Sequence, residues 1–325
     1  VQGCSVRPVE ADLKVVYTPL NGTGNRPVRA ILKRIGCEHV TVVPAQESPD
    51  GNFPTCPYPN PEIRQAFEQA IALAEGMQPR ADLLLATDPD CDRVGIAVLH
   101  EGEYRLLTGN DVGAMLLDYI LAGRQENGTL PQNPVAVKTI VTSPLADRVA
   151  SKYGCQVIDV LTGFKYIGEQ IALLEDKGQE NRFVFGFEES YGYLAGGYVR
   201  DKDAVVASML ICEMASYYKA QGKTLVDVLE ALYREHGMVL CTQRSYTCEG
   251  GMQHMNDLMA SLRDKPPARL GGEEVVAVLD YGKSVETNLE TGEESAIALP
   301  RSEVLQYRLE NGGSVIVRPS GTEPK

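Results

Sequence analysis

No stretch of this 325-residue chain approaches twenty consecutive apolar residues, which excludes a hydrophobic helical membrane span. The opening residues, Val1-Gln2-Gly3-Cys4, lack the basic-then-apolar pattern of a signal peptide and lack an initiator Met. A cytoplasmic chain, present as a fragment or a processed form, is therefore expected. Basic residues are in deficit, with 31 Lys and Arg against 44 Asp and Glu and a net charge of −13. That argues against a nucleic-acid surface, where a basic patch supplies most of the affinity. It leaves room for a local positive pocket that takes a small anion. The eight cysteines make no C-x-x-C pair and no Cys/His zinc spacing, so reduced thiols are expected. Histidine is confined to His39, His100, His236 and His254, none beside a Ser or Cys motif, which disfavours a His-based triad. The G-x-x-x-x-G-K-[ST] loop is missing, so nothing points to ATP.

What is present suits a globular α/β protein of two or three domains, 43% hydrophobic and 23% charged. "KVVYT" (14–18) predicts a strand, "PLNGTGNRP" a loop, "VRAILKRIG" a helix and "HVTVVP" the next strand, a β-loop-α-β unit. The stretch from Ser48 to Pro61 carries five prolines and predicts a non-helical crossing or a mobile loop. A helix over "PEIRQAFEQAIALAEG", the strand "ADLLLA", the strand "VGIAVL" and a helix from Asn110 to Leu121 follow. The polar "RQENGTLPQNP" predicts a domain boundary. The pattern then repeats through "VAVKTIVTS", "PLADRVASKYG", "CQVIDVLTG", "FKYIGEQIALLEDKG" and "RFVFGFEESYGY", with two more helices up to about residue 237. The expected domains are 1–130, 131–240 and 241–325. The last is a partial α+β domain, because its final strand ends in the chain's closing residues.

Three loops carry candidate chemistry. "ATDPDCDRVG" (86–95) places Asp88, Asp90 and Asp92 at alternate positions behind an apolar strand. Three carboxylates that close repel one another unless a cation sits among them, and oxygen-only ligands favour a hard ion such as Mg²⁺. An EF-hand needs Gly and Glu where Arg93 and Leu99 stand, so it fails. A solvated acidic turn, or a dehalogenase-type loop with Asp88 as nucleophile, remain alternatives. "GFEESYGYLAGGYVRDKDA" (186–204) offers Glu188, Glu189 and Ser190, a carboxylate and hydroxyl set able to grip sugar hydroxyls. The plainer alternative is a surface hairpin whose Lys202 is only ion-paired with Asp201 and Asp203. "RPSGTEPK" (318–325) offers Arg318 as a fork for phosphate, hydroxyls from Ser320 and Thr322, and an open backbone at Gly321. Its alternative is an ordinary turn.

Taken together and in this order, "DPDCDR", "FEESYG" and "RPSGTEPK", with "VYTPLNGTG" and "TGFKYIGE", resemble the α-D-phosphohexomutases, the phosphoglucomutase/phosphomannomutase superfamily. The resemblance implies two three-layer α/β/α domains with mixed sheets, followed by part of an α+β domain. It implies that Asp88, Asp90 and Asp92 hold Mg²⁺, that Arg93 lies beside the transferred phosphoryl group, and that Lys202 occupies a position proposed for proton transfer. Thr162, Gly163, Glu188 and Ser190 would bind the sugar, and Arg318, Ser320, Gly321 and Thr322 the non-reacting phosphate. The implied activity is interconversion of sugar 1-phosphate and sugar 6-phosphate through a phosphoserine enzyme, with a sugar 1,6-bisphosphate as intermediate and activator. The family's phosphoserine lies in a T-A-S-H-N-P-like segment, and no such segment occurs here, so this chain by itself is expected to be inactive. The sequence is expected to begin at the family's second domain and stop within its fourth. Phe187 stands where the family often has Gly, which leaves glucose, mannose and pentose phosphates open. A non-catalytic sugar-phosphate-binding protein is the alternative. The partner expected is a small phosphosugar, with no nucleic acid and no membrane; the sequence leaves the oligomeric state open.

Overall fold

Runs of β-branched residues and leucine make the strands of a first sheet. These are β1 (Lys14–Thr18), β2 (His39–Val42), β3 (Leu83–Thr87), β4 (Val94–His100) and β5 (Glu103–Leu107), in the order β2-β1-β3-β4-β5. The first three are parallel, and β4 and β5 return antiparallel. Every residue of β3 is buried, as a strand covered on both faces requires. Residues 1–320 of the computed structural model are described, in two units, 1–241 and 242 onward.

On one face of this sheet α2 (Glu68–Glu75) and the turn before it pack Phe67, Ala70 and Ala74 against Val16, Leu84 and Ala86. On the other face lies α1 (Asn25–Arg34), whose Val28, Ile31 and Leu32 join a large core shared with the second sheet. That sheet comprises β6 (Val135–Thr139), β7 (Gln156–Val160), β8 (Phe183–Glu188) and β9 (Gly192–Leu194), ordered β7-β6-β8-β9. Again three strands are parallel and the last is antiparallel. Its helices are α3 (Gly109–Glu126), α4 (Leu145–Lys152), α5 (Phe164–Glu175), α6 (Ala204–Ala220) and α7 (Leu225–His236). Capping boxes at Thr108/Asp111 and Thr224/Asp227 start α3 and α7.

The expected first domain ended at residue 130 and so included α3. In the structure α3 packs on α4 and β8, elements of the second sheet. The apolar residues of a helix announce burial but not which sheet covers them. Leading into β1, residues 5–11 lie along α6, held by the buried Glu213. Its carboxylate accepts from Ser5 Oγ (2.6 Å), Val6 N–H (2.9 Å), Arg7 N–H (2.7 Å) and Tyr119 Oη (3.0 Å).

The second unit has more strand than helix, as its sequence suggests. α8 (Gly251–Asp264) covers an antiparallel sheet of β10 (Arg269–Leu270), β11 (Glu273–Asp280), β12 (Val285–Asn288), β13 (Glu294–Ala296), β14 (Leu305–Leu309) and β15 (Ser314–Val317). Met259 of α8 packs with Val275, Val278, Leu305 and Tyr307. In both α/β sheets the candidate loops leave the carboxyl ends of parallel strands, where doubly wound sheets place ligands. No helix among the described residues is long and apolar enough to cross a membrane.

Candidate active site

The Asp loop follows β3 and curls tightly. Cys91 takes a positive φ of 62°, and its N–H donates to the Asp88 carbonyl at 3.0 Å. Asp88 is only 1% exposed. Its Oδ1 accepts the N–H groups of Asp92 (3.1 Å) and Arg93 (2.9 Å), and its Oδ2 accepts from Arg93 Nε (2.7 Å). The loop "PLNGTG" supports it from beside: the Pro89 carbonyl accepts from Thr23 N–H at 2.8 Å. Gly22 packs so closely there that a Cβ would fall 2.4 Å from Pro89 Cα. Asp88, Asp90 and Asp92 each present a carboxylate oxygen, all within 4.8 Å of one another. Three hard oxygen donors so spaced fit a small divalent cation such as Mg²⁺.

The second loop forms a hairpin between β8 and β9, yet its first carboxylate is not a surface group. Glu188 is 5% exposed and accepts the Gly163 N–H at 2.9 Å. Gly163, at φ 121°, opens α5 with a backbone that a side chain would strain. The neighbouring Thr162 Oγ1 is buried without a hydrogen-bond partner among the described residues. A buried hydroxyl left in this state suits a ligand oxygen. Ser190 lies half-buried at the hairpin tip. Glu189 serves the loop itself, accepting from Thr139 Oγ1 (3.1 Å) and Thr142 Oγ1 (3.3 Å).

The two loops are joined. The Val94 N–H donates to the Tyr191 carbonyl at 3.1 Å, and Arg93 and Gly192 form an isolated antiparallel bridge. The Ala204 N–H donates to the Cys91 carbonyl at 3.2 Å. Lys202 completes the junction, its Nζ 2.7 Å from Asp92 Oδ2 and 3.3 Å from Asp201 Oδ1. Asp88, Asp90, Asp92, Arg93, Thr162, Gly163, Glu188, Ser190 and Lys202 therefore belong to one connected arrangement within the first unit.

Burial and ion pairing set the charges here between them. Burial raises Glu188 above the ordinary carboxylate value, partly offset by the Gly163 N–H. It pulls Lys202 down, but the hydrogen bond and charge of Asp92, with Asp201, leave the ammonium above the ordinary lysine value. Burial likewise opposes the charge of Arg93, and its bonds to Asp88 with the nearby Glu62 reverse the effect. The Cys91 thiol is pushed up to about 12 by burial, so it is not a thiolate nucleophile.

Arg318 stands at the exit of β15, exposed and without an ion pair among the described residues. Ser320 follows, half-buried. Both belong to the second unit, and the expected ligands Gly321 and Thr322 lie outside the described residues. One residue at the site gave no sequence signal: Glu62, closing the proline-rich stretch, whose Oε1 accepts from Arg93 Nη1 at 3.2 Å. The sequence presents Glu189 only as part of the sugar-loop motif and carries no signal for its partners Thr139 and Thr142.

The carboxylate triplet and the carboxylate and hydroxyl loop thus lie together at the carboxyl edges of two α/β sheets, the place where doubly wound folds bind ligands. Comparison with known proteins narrows this. Residues 5–102 match the model described as phosphoglucomutase/phosphomannomutase, alpha/beta/alpha domain II, and residues 108–236 match domain III of the same family. The phosphoglucomutase of Staphylococcus haemolyticus is 39% identical over 97% of this chain and 56% of its own length. That of Staphylococcus aureus strain USA300 gives the same figures. Among solved structures, the Paramecium phosphoglucomutase pp63/parafusin superposes with a TM-score of 0.62 at 18% identity, over 96% of this chain and 51% of its own. A phosphoglucomutase/phosphomannomutase family protein from Burkholderia thailandensis gives 0.56 at 17% identity, over 85% and 52%. The chain belongs to the α-D-phosphohexomutase (phosphoglucomutase/phosphomannomutase) superfamily. It spans little more than half the length of the curated relatives it matches.

Proposed function

We propose that these residues form the metal- and sugar-binding part of a phosphohexomutase of the phosphoglucomutase type, acting in the cytoplasm on a small phosphosugar. The observation that carries this is the junction between the loops. The Lys202–Asp92 ion pair at 2.7 Å and the Arg93–Gly192 bridge set the carboxylate triplet against the Glu188 and Ser190 hairpin. A reaction that moves a phosphoryl group between two positions of one sugar needs such adjacency: the reacting oxygens and the hydroxyls that orient the ring must be held at once.

Asp88, Asp90 and Asp92 would hold Mg²⁺, which when bound offsets charge on the phosphoryl group. Arg93 directs its guanidinium at the same region. Glu188 and Ser190, with Thr162 and the Gly163 backbone, would hold the sugar hydroxyls. Lys202, whose ammonium is stabilised by Asp92, acts as a charged hydrogen-bond or proton donor rather than as a neutral base at pH 7. Arg318, Ser320, Gly321 and Thr322 are assigned the non-reacting phosphate. The phosphoryl donor is a serine outside these residues, which contain no T-A-S-H-N-P-like segment. In this cycle the phosphoserine donates to the free sugar hydroxyl. The 1,6-bisphosphate turns over, and the serine recovers the other phosphate.

The test is conversion of glucose 1-phosphate to glucose 6-phosphate with Mg²⁺, followed by ³¹P NMR. Turnover is expected from the full-length protein and not from the isolated 325 residues. Rapid turnover by the 325 residues would place the phosphoryl acceptor within them and overturn this division. Ligand binding without turnover by the full-length protein would favour a sugar-phosphate-binding role.

A further inference from the structure

The proline-rich stretch before α2 is ordered, and its course has a consequence for Arg93. Asp50 N–H donates to the Asn21 carbonyl of the loop after β1 at 2.9 Å, and Gln46 Nε2, from the turn after β2, donates to Thr55 Oγ1 at 3.0 Å, so the first half of the crossing is tied at two points. Its last residues pass over β4 at Gly95, where a Cβ would lie 2.5 Å from the Pro61 carbonyl oxygen. Only a glycine lets the chain come this close. Asn60 fixes the exit, its Oδ1 accepting the Glu62 N–H at 2.9 Å and its carbonyl accepting the Ile63 N–H at 3.2 Å. The crossing thus delivers one carboxylate to one place. Glu62 Oε1 takes Arg93 Nη1 at 3.2 Å while Asp88 Oδ2 takes Nε at 2.7 Å.

A guanidinium has five N–H donors in a rigid plane. Two acceptors on different nitrogens fix both the direction of that plane and its rotation about the side-chain axis. Nη2 makes no hydrogen bond among the described residues and stays available on a side chain whose aim is set. We propose that Glu62 is a positioning residue: through Arg93, and without touching substrate, it aims the free Nη2 edge at the phosphoryl group. The inference rests on the mutase reading for the identity of that group. The arrangement also explains why a carboxylate stands in a site already crowded with acid. Asp88 alone would hold only one edge of the fork, leaving the planar guanidinium to pivot about its Nε–H···Oδ2 bond through the softer side-chain torsions.

The experiment compares wild type, E62A and E62Q in the full-length protein, each with a thermal melt. In E62A, kcat for glucose 1-phosphate conversion should fall about 10- to 100-fold, as for a misaimed catalytic group, while KM changes little. E62Q keeps an oxygen acceptor and should fall between the two. R93K removes the fork, so E62A should add nothing further in the R93K background. A second readout does not depend on turnover: rotation of the Arg93 guanidinium, followed by ¹⁵N NMR, should be about tenfold faster in E62A than in wild type. Wild-type kcat in E62A, a loss in E62A that adds in full to that of R93K, or unchanged guanidinium rotation would each overturn the proposal. If wild type fails to interconvert the phosphates, the mutase reading fails instead, and the NMR comparison still decides whether Glu62 holds Arg93.

Discussion

Glu188 keeps a carboxylate where burial opposes its charge, the expected condition of a group retained for binding rather than for stability. Its folded-state pKa lies above the unfolded value. Its contribution is therefore most favourable below the ordinary carboxylate range and is lost as pH rises through the folded pKa. Glu188→Gln should accordingly match wild type in melting temperature near pH 4 and exceed it at pH 7, while binding sugar phosphate more weakly. Thermal scans at the two pH values check this; a variant less stable than wild type at pH 7 would contradict it. Lys202 Nζ pairs with Asp92 Oδ2 at 2.7 Å and so competes with any cation for that carboxylate. Lys202→Met should raise Mg²⁺ affinity about tenfold, the effect of roughly 1.4 kcal/mol of lost repulsion. Calorimetry with Mg²⁺ measures it, and equal or weaker affinity would count against the shared carboxylate.

At the scale of elements, glycines mark where loops are pressed together. A Cβ at Gly109, the first residue of α3, would lie 2.1 Å from the Glu189 carbonyl oxygen. Gly109→Ala should push the β8–β9 hairpin outward and weaken sugar-phosphate binding from a position outside the proposed ligand set, with about 1–3 kcal/mol lost in stability. Denaturant titration and calorimetry on one variant give both quantities. Glu213 performs the corresponding task at the strap of residues 5–11. Glu213→Ala strands buried donors from Val6, Arg7 and Tyr119 and should destabilise the first unit by about 3 kcal/mol. Much of this architecture was legible in the sequence. "LLLA" had to be a buried strand, and three alternating aspartates behind it had to be a site or a repulsion. The hairpin "FEESYG" and the helices after it also follow from periodicity and glycine placement. What escaped had no local signature. β5, "EYRLL", carries charges on an edge strand and does not look buried. The passage from the first sheet to the second occurs near Thr108, ahead of α3, whereas the conspicuous Gly- and Pro-bearing stretch lies after it. Glu62 meets a partner 31 residues away and Glu213 meets partners 94 to 208 residues away, distances that no pattern along the chain encodes.

For the molecule as a whole, the first unit brings the Asp88, Asp90 and Asp92 carboxylates and the β8–β9 hairpin to one junction. The second carries Arg318 at the end of a strand. With the chain's net charge at −13, the proposed function would have a bound divalent cation offset the repulsion between the acidic protein and a phosphate. The most direct measurement is calorimetric titration of glucose 1,6-bisphosphate into the full-length protein with Mg²⁺, comparing wild type, Asp90→Asn and Glu188→Ala. If both loops hold one molecule, Kd should rise about tenfold in each variant, and chelating the metal should weaken wild type to a similar degree. A Kd that neither substitution moves would mean that the carboxylate triplet and the hairpin do not serve the same ligand.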